Sequence, residues 1–153
     1  MSLELVVREL VEGTPVACDD KTLAPVTPQA QEMIQAVARE LRKYPQVDIE
    51  TEEHLHAGVY SRTCKFPKGT VACGALIKRT TQMVMYGHMR FNNGMQIREY
   101  KGYHVFEGQA GRAQIGYALE DTWFTVFAHT DATTLEEARK EFTDEQNLLE
   151  NEQ

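Results

Sequence analysis

The sequence predicts an all-β fold, a compact antiparallel barrel or sandwich, from three observations. Between Gly69 and Phe127, short apolar runs alternate with glycine-centred turns about every 8–12 residues, as in small antiparallel folds. Nine of the ten glycines lie at or after Gly58, whereas all five prolines lie at or before Pro67. Asn92-Asn93-Gly94 is the strongest hairpin signal, because Asn and Gly accept the positive φ of tight turns.

The strands follow from the apolar runs between these turns. A second turn is expected at Pro67-Lys68-Gly69. Met83, Met85 and Met89 have the same parity, so they are expected on one strand face, in the core or at a subunit interface. The predicted strands cover residues 58–66, 70–78, 82–91, 95–100, 103–107, 112–119 and 122–129.

An N-terminal arm with one amphipathic helix is expected before the barrel. The apolar opening Leu3–Val7 indicates a strand-like edge segment followed by a loop. Thr27 and Pro28 fit an N-cap and a first helical residue. Tyr44-Pro45 is expected to end this helix, since the residue before proline is disfavoured in the helical region. Its apolar stripe recurs at helical spacing in Ile34, Val37, Ala38 and Leu41.

A short C-terminal helix is expected after Asp131. Thr133 and Glu136 have the spacing of a capping box, and Glu136 can pair with Lys140 one turn later. The predicted organisation is one domain with three parts: an arm (1–56), a barrel (57–130), and a helix with an acidic tail (131–153). The apolar side of the last helix consists of Leu135, Ala138 and Phe142.

Composition and charge restrict the classes of function. The 153 residues are 42% hydrophobic and 25% charged, which is ordinary for a globular protein. We expect a cytoplasmic location in a bacterial host cell, since the three cysteines are too few for a disulfide framework and neither a signal sequence nor a membrane span is evident. The net charge is −7, although residues 57–130 carry nine Lys/Arg against four Asp/Glu. Nucleic-acid binding is not expected, because both ends are acidic and the basic residues are scattered.

Several motifs carry a resemblance to a known family. Lys65–Val71 followed by Gly74–Lys78 resembles the small cupin-like barrels found in bacteriophages and prophages. The resemblance covers Val47 to Phe142 and implies a jelly-roll barrel preceded by a helical arm. It includes further segments at His54–Arg62, Gly102–Val105, Ala110–Gln114 and Thr130–Thr133.

The sequence departs from the metal-dependent enzymes of the cupin superfamily. Their first motif supplies two histidines and a glutamate, but Leu76–Thr81 contains no His, Asp, Glu or Cys. Arg112 and Gln114 stand where a later ligand would be expected. We therefore expect no metal and no cofactor in the barrel. His54 and His56 form an outside metal candidate, since residues i and i+2 of a strand share a face.

The remaining polar residues suggest a different kind of site. If Lys78 or Arg79 points inward together with Arg112, the barrel becomes an anion site. A general-base role for His104 would need a partner in the pocket, and the adjacent Tyr103 faces the opposite side of the strand. We predict no catalytic residue. The predicted ligand-binding residues are Lys78, Thr80, Tyr103, His104, Arg112 and Gln114.

We therefore expect a non-enzymatic phage or prophage accessory protein with a degenerate, metal-free cupin barrel. It would act through homo-oligomer or protein contacts, or by binding a small anionic ligand, without a membrane partner. Two alternatives stay open. One is a metal-independent enzyme acting on a carbohydrate or nucleotide, and the other is a sponge that sequesters a nucleotide signal.

Overall fold

The computed structural model describes residues 2–16 and 20–145. No helix in this part of the chain is long and apolar enough to cross a membrane. The helices are α1 (Leu3–Glu12), α2 (Pro28–Leu41) and α3 (Leu135–Phe142). The strands are β1 (Thr22–Leu23), β2 (Glu50–His56), β3 (Val59–Phe66), β4 (Val71–Cys73), β5 (Thr81–Asn92), β6 (Ile97–Gly108), β7 (Ile115–Ala118) and β8 (Thr122–His129).

The strands form two sheets that share the long β5–β6 hairpin. The first half of β5 pairs with β8, which continues through β3 to β2. The second half of β5 pairs with β7, which in turn pairs with β4. This is a jelly-roll arrangement, with the core between the sheets. The predicted fold class, an all-β cupin-like barrel with an N-terminal helical arm and a short C-terminal helix, is confirmed.

The shared hairpin bends at two glycines that are directly paired across the strands. Gly87 has a φ of +146°, and its partner Gly102 has a φ of +93°. Thr122, which is fully buried, packs against Gly87; its Oγ1 accepts a hydrogen bond from the His88 amide at 3.0 Å and donates to the Glu120 carbonyl at 2.9 Å. These residues therefore fix the point at which the hairpin passes from one sheet to the other.

The turn predictions at both ends of the barrel are confirmed. Gly94 has a φ of +88°, and the Asn92 side chain accepts a hydrogen bond from its amide at 2.7 Å. Gly69 also has a positive φ, and the Thr70 amide donates to the Pro67 carbonyl at 3.1 Å. At the outer edge of β6, the two-residue strand β1 pairs in parallel.

The strand-like opening predicted at Leu3–Val7 is wrong, because these residues form the first half of α1. Ser2 caps the helix by accepting a hydrogen bond from the Leu5 amide at 3.3 Å. Val6 and Leu10 lie one turn apart and are buried against the second sheet. At the other end of α1, the Arg90 guanidinium donates to the Val11 and Gly13 carbonyls, which ties the helix to β5. Tertiary packing therefore outweighs the strand preference of the two valines.

The predicted central helix is confirmed, with its end four residues earlier than Pro45. Thr27 accepts a hydrogen bond from the Ala30 amide at 3.1 Å, and Pro28 begins the helix. Its buried residues Ile34 and Val37 join α1 in covering the outside of the second sheet. The strand β2 follows and pairs with β3, so the arm–barrel division predicted at residue 57 falls in the β2–β3 hairpin.

The C-terminal helix is confirmed, with its cap one residue later than predicted. Thr134 accepts a hydrogen bond from the Glu137 amide, and the Glu137 carboxylate accepts from the Thr133 amide. Ala138 and Phe142 are buried, and Lys140 lies 3.3 Å from Glu136 as expected. The predicted acidic tail lies outside the described residues from position 146 onwards.

Candidate ligand-binding cavity of the barrel

A cavity of about 190 Å³ lies between the two sheets. Most of its wall is apolar, and Met83, Met89, Phe91, Phe124 and Val126 belong to this part. These residues point inward because strand side chains alternate and their neighbours face outward. The polar residues in the wall are Thr51, Arg62, Cys64, Cys73, Arg112 and Gln114.

Arg112 is the most unusual residue of the cavity, because it is a buried cation without a carboxylate partner. It is 4% exposed, and no Asp or Glu in residues 2–16 and 20–145 lies within ion-pair distance of it. Its Nη1 donates to the Arg79 and Gln109 carbonyls, and its Nη2 donates to Thr81 Oγ1 at 2.6 Å. These bonds use three of the five guanidinium donors. Burial lowers the pKa of Arg112 to about 10, so it remains charged at neutral pH.

A glycine on β6 leaves the space that this guanidinium occupies. A Cβ atom placed on Gly108 would lie 2.6 Å from Arg112 Cζ and 2.7 Å from Met83 Cε. Ile77 pairs with Arg112 through an isolated bridge, which holds the backbone of this segment. The absence of a side chain at position 108 therefore allows the Arg112 guanidinium to approach the backbone of β6 closely.

Two further polar residues face the same space. Gln114 lies two residues beyond Arg112, and its Oε1 is buried without a hydrogen-bond partner in the described part of the chain. Arg62 enters the wall from β3, with its Nη1 3.3 Å from Glu53 Oε2. The cavity thus offers a cationic donor and an unsatisfied acceptor in one region.

Glu53 balances the charge of Arg62 and is also bound by α3. Arg139 donates to both carboxylate oxygens of Glu53, at 2.8 and 2.5 Å, and the Tyr60 hydroxyl donates at 2.6 Å. Burial would raise the pKa of Glu53, but the hydrogen bonds from Arg139 and Tyr60 and the charge of Arg62 lower it to about 2. Burial raises the pKa of Tyr60, and the hydrogen bond to the negatively charged Glu53 adds to this rise. One carboxylate therefore contacts two arginines, one on β3 and one on α3.

The cysteines of the wall are not arranged as a reactive centre. Burial raises the pKa of the Cys73 thiol to about 12, with Arg42 partly opposing it. Cys64 is half-buried, with its Sγ 3.7 Å from Thr51 Oγ1. Cys18 lies outside the described residues.

The cavity does not fit the metal ion of the cupin enzymes. Its described wall contains no His, Asp or Glu, and two arginines point toward it. A bound Fe, Mn or Zn needs several N, O or S donors at one point, and cationic side chains repel it. Over residues 2–16 and 20–145, no group of three or more His, Cys, Asp or Glu could hold a metal.

The predicted ligand-binding residues separate into two groups. Arg112 and Gln114 line the cavity. Lys78 faces outward and pairs with Asp144, and its neighbour Arg79, the other cation considered for the anion site, pairs with Glu141. They follow the end of β4, so the alternation assumed for a strand across residues 70–78 does not apply to them.

The other predicted residues lie away from the cavity wall. Thr80 and Tyr103 are exposed on the outside. His104 is half-buried; its Nδ1 lies 2.5 Å from Lys21 Nζ and its Nε2 lies 2.7 Å from the Lys101 carbonyl. The outside candidates His54 and His56 are exposed on β2, with His54 Nε2 2.8 Å from the Glu52 carboxylate.

Arg62 is the site residue that the sequence reasoning missed. It shares the parity of Tyr60, Cys64 and Phe66 in a strand that was predicted correctly. That alternation is the signal that places it inside, because the other members of the row are apolar or small.

Neither a protein-family model nor a curated protein sequence matches this chain. Solved structures with a similar fold include a cupin superfamily protein from Desulfitobacterium hafniense, at 10% identity and a TM-score of 0.46, covering 57% of this chain and 83% of that one. An RmlC-like cupin from Methanocaldococcus jannaschii has 11% identity and a TM-score of 0.46, covering 54% and 80%. KdgF from Halomonas sp. has 17% identity and a TM-score of 0.43, covering 57% and 87%. At these identities the similarity concerns the fold alone.

Proposed function

We propose that this protein binds a small, mostly apolar carboxylic acid inside its barrel and does not transform it. The buried Arg112, which has no carboxylate partner among the described residues, carries the proposal. A buried charge is costly unless it is paired, so a site that keeps one is suited to an anionic ligand. A ligand carboxylate could accept charge-assisted hydrogen bonds from the guanidinium. The buried Oε1 of Gln114 suits a donor on the same ligand, such as a hydroxyl group.

The volume and the wall limit the rest of the ligand. An apolar cavity of about 150 Å³ can take up benzene, so a cavity of about 190 Å³ suits one ring or a short branched chain with a carboxylate. A nucleotide is larger and more polar than this space, which disfavours the nucleotide sponge. The wall residues described contain no His, Asp, Glu, Lys or Tyr, so an enzyme would lack its usual general base here. The phage or prophage origin stays a prediction.

Benzoate is the first probe for this site. We expect the protein to bind benzoate in isothermal titration calorimetry and Arg112→Met to weaken this binding about 30-fold or more, since charge-assisted hydrogen bonds to the guanidinium are lost. Arg79→Met is the matched control, because Arg79 faces outward and pairs with Glu141. Toluene, which has the ring without the charge, should bind both variants equally.

Two results would contradict the proposal. Benzoate and its hydroxylated or branched relatives could all fail to bind, or Arg112→Met could bind them as well as the unmodified protein. Near-ultraviolet circular dichroism of the variant shows whether its packing is intact. Denaturing mass spectrometry of the purified protein identifies any carboxylic acid that copurifies. If this acid is recovered unchanged after incubation with the protein, the protein binds it without acting as an enzyme.

A further inference from the structure

The two sheets of the barrel differ in what lies on their outer faces. Helices α1 and α2 cover the second sheet through buried apolar side chains such as Leu10 and Ile34. The outer face of the first sheet instead carries large apolar side chains that are between 39% and 65% exposed. We call this surface the aromatic face, and its members are Tyr86, Tyr103, Val105, Trp123 and Phe127.

Strand register places these side chains side by side. Tyr86 on β5 is directly opposite Tyr103 on β6 and opposite Trp123 on β8. The rings of Tyr86 and Trp123 lie 6.3 Å apart. On the far side of Trp123, the Lys65 ammonium of β3 lies 5.3 Å from the indole ring. These four residues form one continuous row across four strands.

The next two rows are free of charge over most of their width. The second row consists of Val105 on β6, Val84 on β5, Thr125 on β8 and Thr63 on β3. The third row consists of Glu107 on β6, Gln82 on β5, Phe127 on β8 and Ser61 on β3. Charged residues reappear on β2, where Glu50 and Glu52 face outward. The face is therefore a largely uncharged area bordered by Lys65, by Glu107 and by the glutamates of β2.

The size of the aromatic face is that of an interface core. An aromatic side chain has a surface of about 150–250 Å². At their exposed fractions, the five members together expose on the order of 500 Å². Patches of this size on a protein surface commonly mark binding sites. A standard interface buries about 800 Å² on each partner, which the surrounding threonine, serine and glutamine residues can complete.

We propose that a second copy of this chain packs on the aromatic face to form a symmetric dimer. A two-fold axis parallel to the strands, between β5 and β8, sets Tyr86 of one copy against Trp123 of the other. The same axis sets Tyr103 against Lys65, a cation–π pairing, and Val105 against Thr63. Two such faces would pack sheet on sheet, about 10 Å apart.

The charge distribution suits a second copy. The chain carries a net charge of −7, so copies repel one another and associate best through a surface without acidic residues, and the five members of the aromatic face include none. The face is also self-complementary under this axis, because the Lys65 ammonium of each copy then lies against the Tyr103 ring of the other. This inference does not depend on the ligand proposed for the cavity.

Analytical ultracentrifugation of the full chain tests the proposal. We expect a species of twice 17.4 kDa that dissociates on dilution. Tyr86→Lys and Trp123→Glu should each raise the dimer dissociation constant about 30-fold or more, the effect of losing a central aromatic contact. Tyr44→Lys is the matched control, since Tyr44 is as exposed as Tyr86 but lies after α2. It should leave the dimer intact.

A mixing experiment tests the symmetry itself. In a dimer of one Tyr86→Lys chain and one Trp123→Glu chain, the two substituted positions face each other as opposite charges, and the other contact keeps its native Tyr86 and Trp123. The mixture should therefore recover a dimer that neither variant forms alone. A monomer at every concentration would overturn the proposal, as would a dimer that is insensitive to both substitutions. Far-ultraviolet circular dichroism confirms that each variant is folded.

Discussion

Replacing Glu53 with glutamine is expected to destabilise the protein by about 3–5 kcal/mol, the usual cost of removing one partner from a buried ion-pair network. The Glu53 side chain is 13% exposed and balances Arg62 and Arg139. Glutamine keeps the shape but removes the negative charge that both arginines contact. Chemical denaturation followed by tryptophan fluorescence measures the change. Glu52→Gln, one position along β2 on the outer face, should change the free energy of unfolding by less than about 0.5 kcal/mol.

The same residue predicts how acid affects stability. The pKa of Glu53 is about 2 in the folded protein and 4.5 without its partners, so the carboxylate stabilises the fold fully above pH 4.5. This stabilisation falls as pH drops from about 5 to 3, and linkage gives a loss of about 2 kcal/mol over that interval. Glu53→Gln should lack this component, so its free energy of unfolding should fall less over the same interval. Equal pH dependence in both proteins would contradict the assignment.

Gly87→Ala is expected to destabilise the protein by about 3 kcal/mol or more. Two costs combine: a φ of +146° that side chains rarely adopt, and a Cβ atom that would lie 2.7 Å from Thr122 Cα. The backbone of Thr122 has little room to move, since its hydroxyl is bonded to both His88 and Glu120. Thermal unfolding by calorimetry checks the loss.

Gly102→Ala separates the two costs. Gly102 is the register partner of Gly87 and also has a positive φ, but no atom lies within 4 Å of a Cβ placed on it. We expect only the backbone penalty there, about 1–2 kcal/mol. If both variants lost the same stability, the contact with Thr122 would not be what requires glycine at position 87.

Local chemistry explains which parts of the fold could be predicted from the sequence. The N-cap at Thr27 and the turn at Asn92-Asn93-Gly94 depend on residues next to each other in the chain, and both were predicted correctly. The helix α1 was missed because Val6 and Val7 favour strands locally. Its helical spacing becomes decisive only when Leu10 packs against the second sheet.

Strand alternation explains only part of the site. The alternation of β3 places Arg62 inside, whereas Arg112 and Gln114 precede β7 and line the cavity together with the intervening Ala113. Lys78 and Arg79 lie between two strands, where no alternation fixes the direction of a side chain. That Arg112 has no carboxylate partner among the described residues is a long-range property, because it depends on which strands surround it. Local sequence patterns do not reveal these neighbours.

The two-residue strand β1 has a consequence for how this protein avoids aggregation. A long sheet edge can template added strands from other molecules. Here β1 covers the end of β6 at one edge of the sheet, and β2 at the other edge presents outward glutamates. Strand addition is therefore opposed along β2 and at the last residues of β6. Detachment of Thr22 and Leu23 would free the backbone of Glu107 and Gly108 and so lengthen the stretch of β6 that can accept an added strand.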